Sequence, residues 1–74
     1  MMVKNYKVTD TVNGTVEWFD EFDINEIEYA FGFYLDDETA EVADMLVAAL
    51  RKGKSTYGLE QFLGIEVEEV WVRE

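Results

Sequence analysis

The stretch Tyr6-Lys7-Val8-Thr9-Asp10-Thr11-Val12-Asn13-Gly14-Thr15-Val16-Glu17-Trp18-Phe19 decides how the chain begins to fold. Tyr6 and Val8 alternate with Lys7 and Thr9, the period-two pattern of a half-buried strand. Asn13-Gly14 breaks that run, and this dipeptide favours a type I′ turn with positive φ at both central residues. From Thr15 to about Phe22 the chain is rich in β-branched and aromatic residues, as a returning strand requires. A hairpin turning at Asn13-Gly14 follows.

Beyond the hairpin the signals become helical. Asp23 is placed as an N-cap with Glu26 as its capping-box partner, and Ile24, Ile27, Ala30 and Phe31 share one face before Gly32. Phe33-Tyr34-Leu35 forms an apolar bridge. Asp36 or Asp37 then caps a longer helix to about Lys52, with Val42, Met45, Leu46 and Ala49 as its apolar stripe and Leu50 beside it. Acids fill its first turn and Arg51-Lys52 its last, an order that complements the macrodipole. Gly53 stops it. Ser55 or Thr56 caps a third, short helix from Tyr57 to Leu63, closed by Gly64, and Glu66 to Arg73 reads as a final strand. The order ββαααβ predicts a small α+β fold: a three-stranded antiparallel sheet with helices packed on one face. The other face stays open.

The chain has 74 residues and no proline, repeat or linker, so residues 1–74 are expected to form one acidic domain. A domain this short buries only about 60% of its unfolded surface, and many such domains add disulfides or metals. Neither cysteine nor histidine is present, which excludes a disulfide and a zinc site of the usual kind. A hydrophobic fraction of 49%, aromatics included, supplies a core instead. No apolar run approaches the roughly 20 residues of a membrane helix, and the start lacks the apolar stretch of a secretory signal. A cytoplasmic location is expected.

Charge carries most of the functional information. The formal net charge is −11. Glu17, Asp20, Glu21, Asp23, Glu26, Glu28, Asp36, Asp37, Glu38, Glu41 and Asp44 fall in one block that contains no base. The remaining six acids and six bases cancel, so the whole net charge lies between Glu17 and Asp44. Such a field repels nucleic acid and anionic membrane, and it steers basic protein surfaces at salt-sensitive rates.

Catalytic chemistry finds little material. Triad-type nucleophilic catalysis lacks its His and Cys. Ser55 and Lys54 are neighbours in sequence and are poorly placed as nucleophile and base. Gly53-Lys54-Ser55 resembles the end of a phosphate loop, but that motif needs a glycine where this chain has Ala48. Asp20-Glu21-Phe22-Asp23-Ile24-Asn25 fails the calcium-loop pattern at Phe22 and Asn25. A looser cation site at Asp36, Asp37 and Glu38 competes with their simpler service as cap and first-turn acids. Lys4, Lys7, Arg51, Lys52, Lys54 and Arg73 are too few to neutralise several phosphates. No enzyme, cofactor, metal, membrane or direct nucleic-acid function is expected.

Two features coincide in the acidic block. Trp18, Phe19, Phe22, Tyr29, Phe31, Phe33 and Tyr34 all lie within it. Trp18 and Phe19 are adjacent on a strand, so one enters the core and the other faces outward, where Glu17, Asp20 and Glu21 would form a charged rim. On the long helix, Glu38, Glu41 and Asp44 recur every third residue, roughly 4.5 Å of rise apart, with Asp36 and Asp37 before them. Duplex DNA carries about one charge per 1.7 Å, so mimicry of a phosphate backbone would be partial. The predicted partner-binding set is Glu17, Trp18, Phe19, Asp20, Glu21, Asp36, Asp37, Glu38, Glu41 and Asp44.

In size, charge and absence of cysteine the chain is similar to two kinds of small acidic protein. One is the phage anti-defence inhibitor, of the anti-CRISPR or anti-restriction type. The other is the immunity protein that neutralises a nuclease toxin. No motif of either carries over residue by residue. The resemblance implies an inhibitor of a basic nuclease or nucleic-acid-binding complex. The competing expectation is a structural or adaptor module, a homodimer included.

Overall fold

The computed structural model describes residues 1–74. Strands β1 (Met2–Asp10) and β2 (Val16–Asp20) form the hairpin. A 3₁₀ turn at Ile24–Glu26 runs into α1 (Ile27–Ala30), and a second at Phe33–Leu35 leads to α2 (Asp37–Arg51). Then come α3 (Tyr57–Leu63) and β3 (Ile65–Arg73). The three strands form one antiparallel sheet in the order β2-β1-β3, the expected α+β arrangement.

The hairpin turns where predicted but not by a two-residue turn. Asp10 N–H donates to Thr15 O and Gly14 N–H to Asp10 O, leaving Thr11 to Gly14 as the loop. Only Gly14 has positive φ, at 75°. Asp10 makes the difference, because its carboxylate accepts from Val12 N–H (2.8 Å), Asn13 N–H (3.0 Å) and Asn13 Nδ2 (3.0 Å). Those three bonds favour a wider loop over the type I′ turn.

Tyr6 and Val8 project from β1 to one side and pair with Phe19 of β2 and Val67 of β3. Above them Ile24, Ile27, Phe33, Ala43, Leu46 and Leu50 complete the core with Ile65. The buried stripe of α2 is therefore Ala43, Leu46 and Leu50, whereas Met45 is 52% exposed. Of the expected stripe Val42, Met45, Leu46 and Ala49 with Leu50 beside it, Leu46 and Leu50 are buried, Val42 and Ala49 are half-buried, and only Met45 is exposed. With Ala43 fully buried, the helix is rotated so that Met45 turns outward.

Asp23 does not cap the helix after it. Its side chain instead accepts from Asp20 N–H at 2.7 Å, and the segment starts as a 3₁₀ turn. Asp36 does cap α2, its Oδ2 accepting from Thr39 N–H at 3.1 Å and from Thr39 Oγ1 at 2.6 Å. Gly64 closes α3 in the left-handed region at φ 70°.

Candidate functional site

The adjacent aromatics of β2 separate as strand geometry demands. Phe19 is buried against Tyr6, while Trp18 is 54% exposed on the helix-free face. Phe19 is thus a core residue and not a contact for a partner. Trp18 lies opposite Lys7, which lies opposite Glu68 of β3. The rim expected around Trp18 is mostly elsewhere. Alternation keeps Asp20 on its face and sends Glu17 to the other. Glu21 lines a hollow with Lys4 and Arg51, so bases stand near its charge.

The remaining predicted acids gather on the helical layer. Asp37, Glu38, Glu41 and Asp44 are all exposed along α2. The one ion pair in the molecule joins Lys4 to Glu69 at 3.8 Å, outside the acidic block. None of the acids of α2 is neutralised by a base. Residues Glu17 to Glu21 and residues Asp36 to Asp44 consequently do not form one surface: β2 lies in the sheet and α2 covers its packed face.

Two acids of the set have local work. The Asp36 carboxyl is held below its ordinary range, first by the Thr39 hydroxyl and then by the Thr39 N–H. The Asp20 carboxyl is likewise lowered, by Asp23 N–H and Phe22 N–H, both donating to its Oδ1 at 2.8 Å. These bonds order the turn after β2 and the start of α2. Asp36, Asp37 and Glu38 do not converge with other acids into a group arranged to hold a metal ion.

The tertiary structure adds a centre that sequence reading missed. Glu28 of α1 reaches Asp44 of α2, and its carboxyl is raised by partial desolvation first, then by hydrogen bonding and repulsion from Asp44. Next to Glu28 in sequence, Tyr29 stands 5.4 Å from Tyr34, ring centroid to ring centroid. Tyr29 is 66% exposed, Tyr34 50% and neighbouring Leu35 78%. An exposed aromatic pair bordered by acids is better placed beside α2 than Trp18 is. The available signal was the exposed tyrosine type itself, since Phe31 and Phe33 of the same cluster turn inward. The largest hollows lie away from this surface. The largest, about 450 Å³ and open to solvent, lies between β1, α3 and β3 and is bounded by Lys7, Thr9, Tyr57, Glu60, Glu66 and Glu68 among others.

Comparison with protein-family models, with curated proteins and with solved structures gives no match to this chain.

Proposed function

We propose that the protein is an acidic inhibitor that binds a basic nuclease or nucleic-acid-binding complex and occludes its nucleic-acid groove. What supports this is the unneutralised acid of the helical layer. Glu38, Glu41 and Asp44 are exposed on α2 with no base in ion-pair contact. Tyr29 and Tyr34 supply an apolar anchor at the same layer. Carboxylates at such spacing meet a few Lys or Arg side chains, and an aromatic pair among them resists dissociation. The phage anti-defence and toxin-immunity types share this chemistry.

The test has two steps. A partner is captured from the native host, and its binding to nucleic acid is measured as the protein is added. Competitive loss of nucleic-acid binding is expected. The triple variant Glu38→Lys, Glu41→Lys and Asp44→Lys should associate more slowly and with a flatter salt dependence, because the long-range field is roughly halved. Tyr34→Ala should leave association unchanged and speed dissociation, by a hot-spot cost of about 2 kcal/mol. A triple variant that associates as fast as the unaltered protein at every salt concentration would remove the basis of this function.

A further inference from the structure

The outer edge of β3 is partly closed and partly open. Val67 lies opposite Val8, and its N–H turns away from β1 to donate to Glu60 Oε1 at 2.7 Å. Backbone direction alternates along an antiparallel ladder, so Glu69, Trp71 and Arg73 also direct N–H and C=O away from β1. The complementary phase agrees, since Thr11 N–H donates to Gly64 O and Glu74 N–H to Met1 O across the same ladder. Glu69, Trp71 and Arg73 are exposed, and none of their N–H groups has an acceptor in the chain. An open strand edge is a template for another strand.

We propose that this edge pairs with the same edge of a second copy, fusing two sheets into one across a two-fold axis at Trp71. That axis sets Trp71 against Trp71, and at each end it sets Glu69 of one copy against Arg73 of the other. On the helix-free face it sets Val70 against Val72. Every outward N–H and C=O of the three residues finds a partner, and each charge meets its opposite. Self-complementarity of this kind is what an isologous interface requires.

Registers with the axis at another outward residue fail on the same criteria. An axis at Glu69 opposes like charges and needs the Val67 N–H that Glu60 already holds. An axis at Arg73 opposes two arginines and leaves Trp71 unpaired. The charge of the molecule permits the contact, because acids and bases outside Glu17–Asp44 cancel. Lys4 stands 3.8 Å from Glu69 and 5.5 Å from the Trp71 ring centroid, keeping the patch near neutral. That neutrality disfavours a basic partner strand here and favours a second copy. Trp71 is 55% exposed and Val72 38%, so pairing also covers apolar surface. The dimer goes beyond the inhibitor function and does not rest on it, since it uses the strand farthest from β2 and none of the acids of α2.

Sedimentation equilibrium of the full chain tests it. A reversible dimer is expected, with a dissociation constant on the order of 100 μM, as suits a small interface. Glu69→Arg and Arg73→Glu each place like charges opposite at both ends, and each should weaken self-association about tenfold or more. An equimolar mixture of the two variants should recover a heterodimer, because the arginine introduced at position 69 then faces the glutamate introduced at position 73. Trp71→Pro removes an outward N–H without touching the β1 ladder, and it should abolish the dimer while circular dichroism stays unchanged. The proposal is overturned if the unaltered chain is monomeric up to about 1 mM, well above that constant. It is equally overturned by a dimer indifferent to both charge reversals, or by a basic peptide that occupies this edge on a chain that stays monomeric.

Discussion

The two edges of the sheet are built alike and differ in charge. On β2, Asp20 N–H points outward and is taken by Asp23; on β3, Val67 N–H points outward and is taken by Glu60. Each edge is therefore plugged at one end by a carboxylate from an adjoining segment, the turn after β2 in one case and α3 before β3 in the other. Past the plugs, β2 leaves the outward groups of Val16 and Trp18, and β3 those of Glu69, Trp71 and Arg73. A two-fold pairing of Val16 with Trp18 would bring Glu17 directly against Glu17, in a non-hydrogen-bonded pair where Cα atoms approach to about 4.5 Å. On β3 the same operation brings Glu to Arg. The backbone offers both edges, and the side-chain charges between the free groups decide which edge accepts a copy of the chain. Negative charge thus protects one edge from self-pairing while keeping that region attractive to basic partners.

The plugs give the largest expected effect. Glu60 accepts from Val67 N–H and also from the buried Thr56 hydroxyl, at 2.7 Å each. Glu60→Ala leaves both donors unsatisfied and should cost about 1–3 kcal/mol in denaturant unfolding. Glu60→Gln, whose Oε1 still accepts from Val67 N–H while its Nε2 donates to the Thr56 hydroxyl, should lose much less. Asp23→Ala frees only an exposed N–H that water can satisfy, so its melting temperature should fall by clearly less than that of Glu60→Ala. Equal losses at the two sites would show that the plugs do not differ in burial as described.

A gain of assembly comes next. Glu17→Thr replaces the repulsive pair across the β2 edge with one that β-strands favour. Combined with the β3 contact, both edges would then accept strands, and light scattering should report assemblies larger than a dimer. If Glu17→Thr is no more aggregated than the unaltered protein, the turn after β2, and not charge, protects that edge.

Acid should erode the turns before the core. The carboxyls of Asp10, Asp20 and Asp36 are lowered chiefly by hydrogen bonds, to Asn13 N–H, Asp23 N–H and the Thr39 hydroxyl respectively. A depressed folded value contributes stability above the unfolded carboxylate range, about pH 4, and loses it as pH falls through the folded value. An Asp20→Asn, Asp36→Asn double variant should therefore show a shallower drop in melting temperature from pH 5 to pH 3. A drop as steep as in the unaltered chain would place the acid sensitivity elsewhere.

Glu28 has the opposite sign and the smallest effect. Its raised carboxyl favours the folded state at low pH, and that contribution is lost as pH rises through the folded value. Glu28→Gln should leave the melting temperature at pH 7 equal or slightly higher, and should lower it slightly relative to the unaltered chain at acid pH. A clear loss at pH 7 would mean that the contact with Asp44 is attractive.

Local chemistry made the hairpin site, a cap at Asp36 or Asp37, the stop at Gly64 and the concentration of charge between Glu17 and Asp44 readable from the sequence. Each is a property of a few adjacent residues, and periodicity or turn preference reports it directly. The choice between Asp23 as a helix cap and Asp23 as a plug on Asp20 was different. Both use the same carboxylate within a few residues, and only the position of the strand edge selects one. The inward face of α2 includes Ala43 and leaves Met45 exposed for a related reason: the elements that pack on the helix, and not its period alone, set its rotation about its own axis. Long-range placement also brought Glu28 to Asp44 and Tyr29 to Tyr34, pairs whose separation along the chain carries no periodic signal. Amino-acid order thus determined which segments bend, coil and carry charge. Packing decided which faces remain in water, because burial depends on the elements that arrive from elsewhere in the chain.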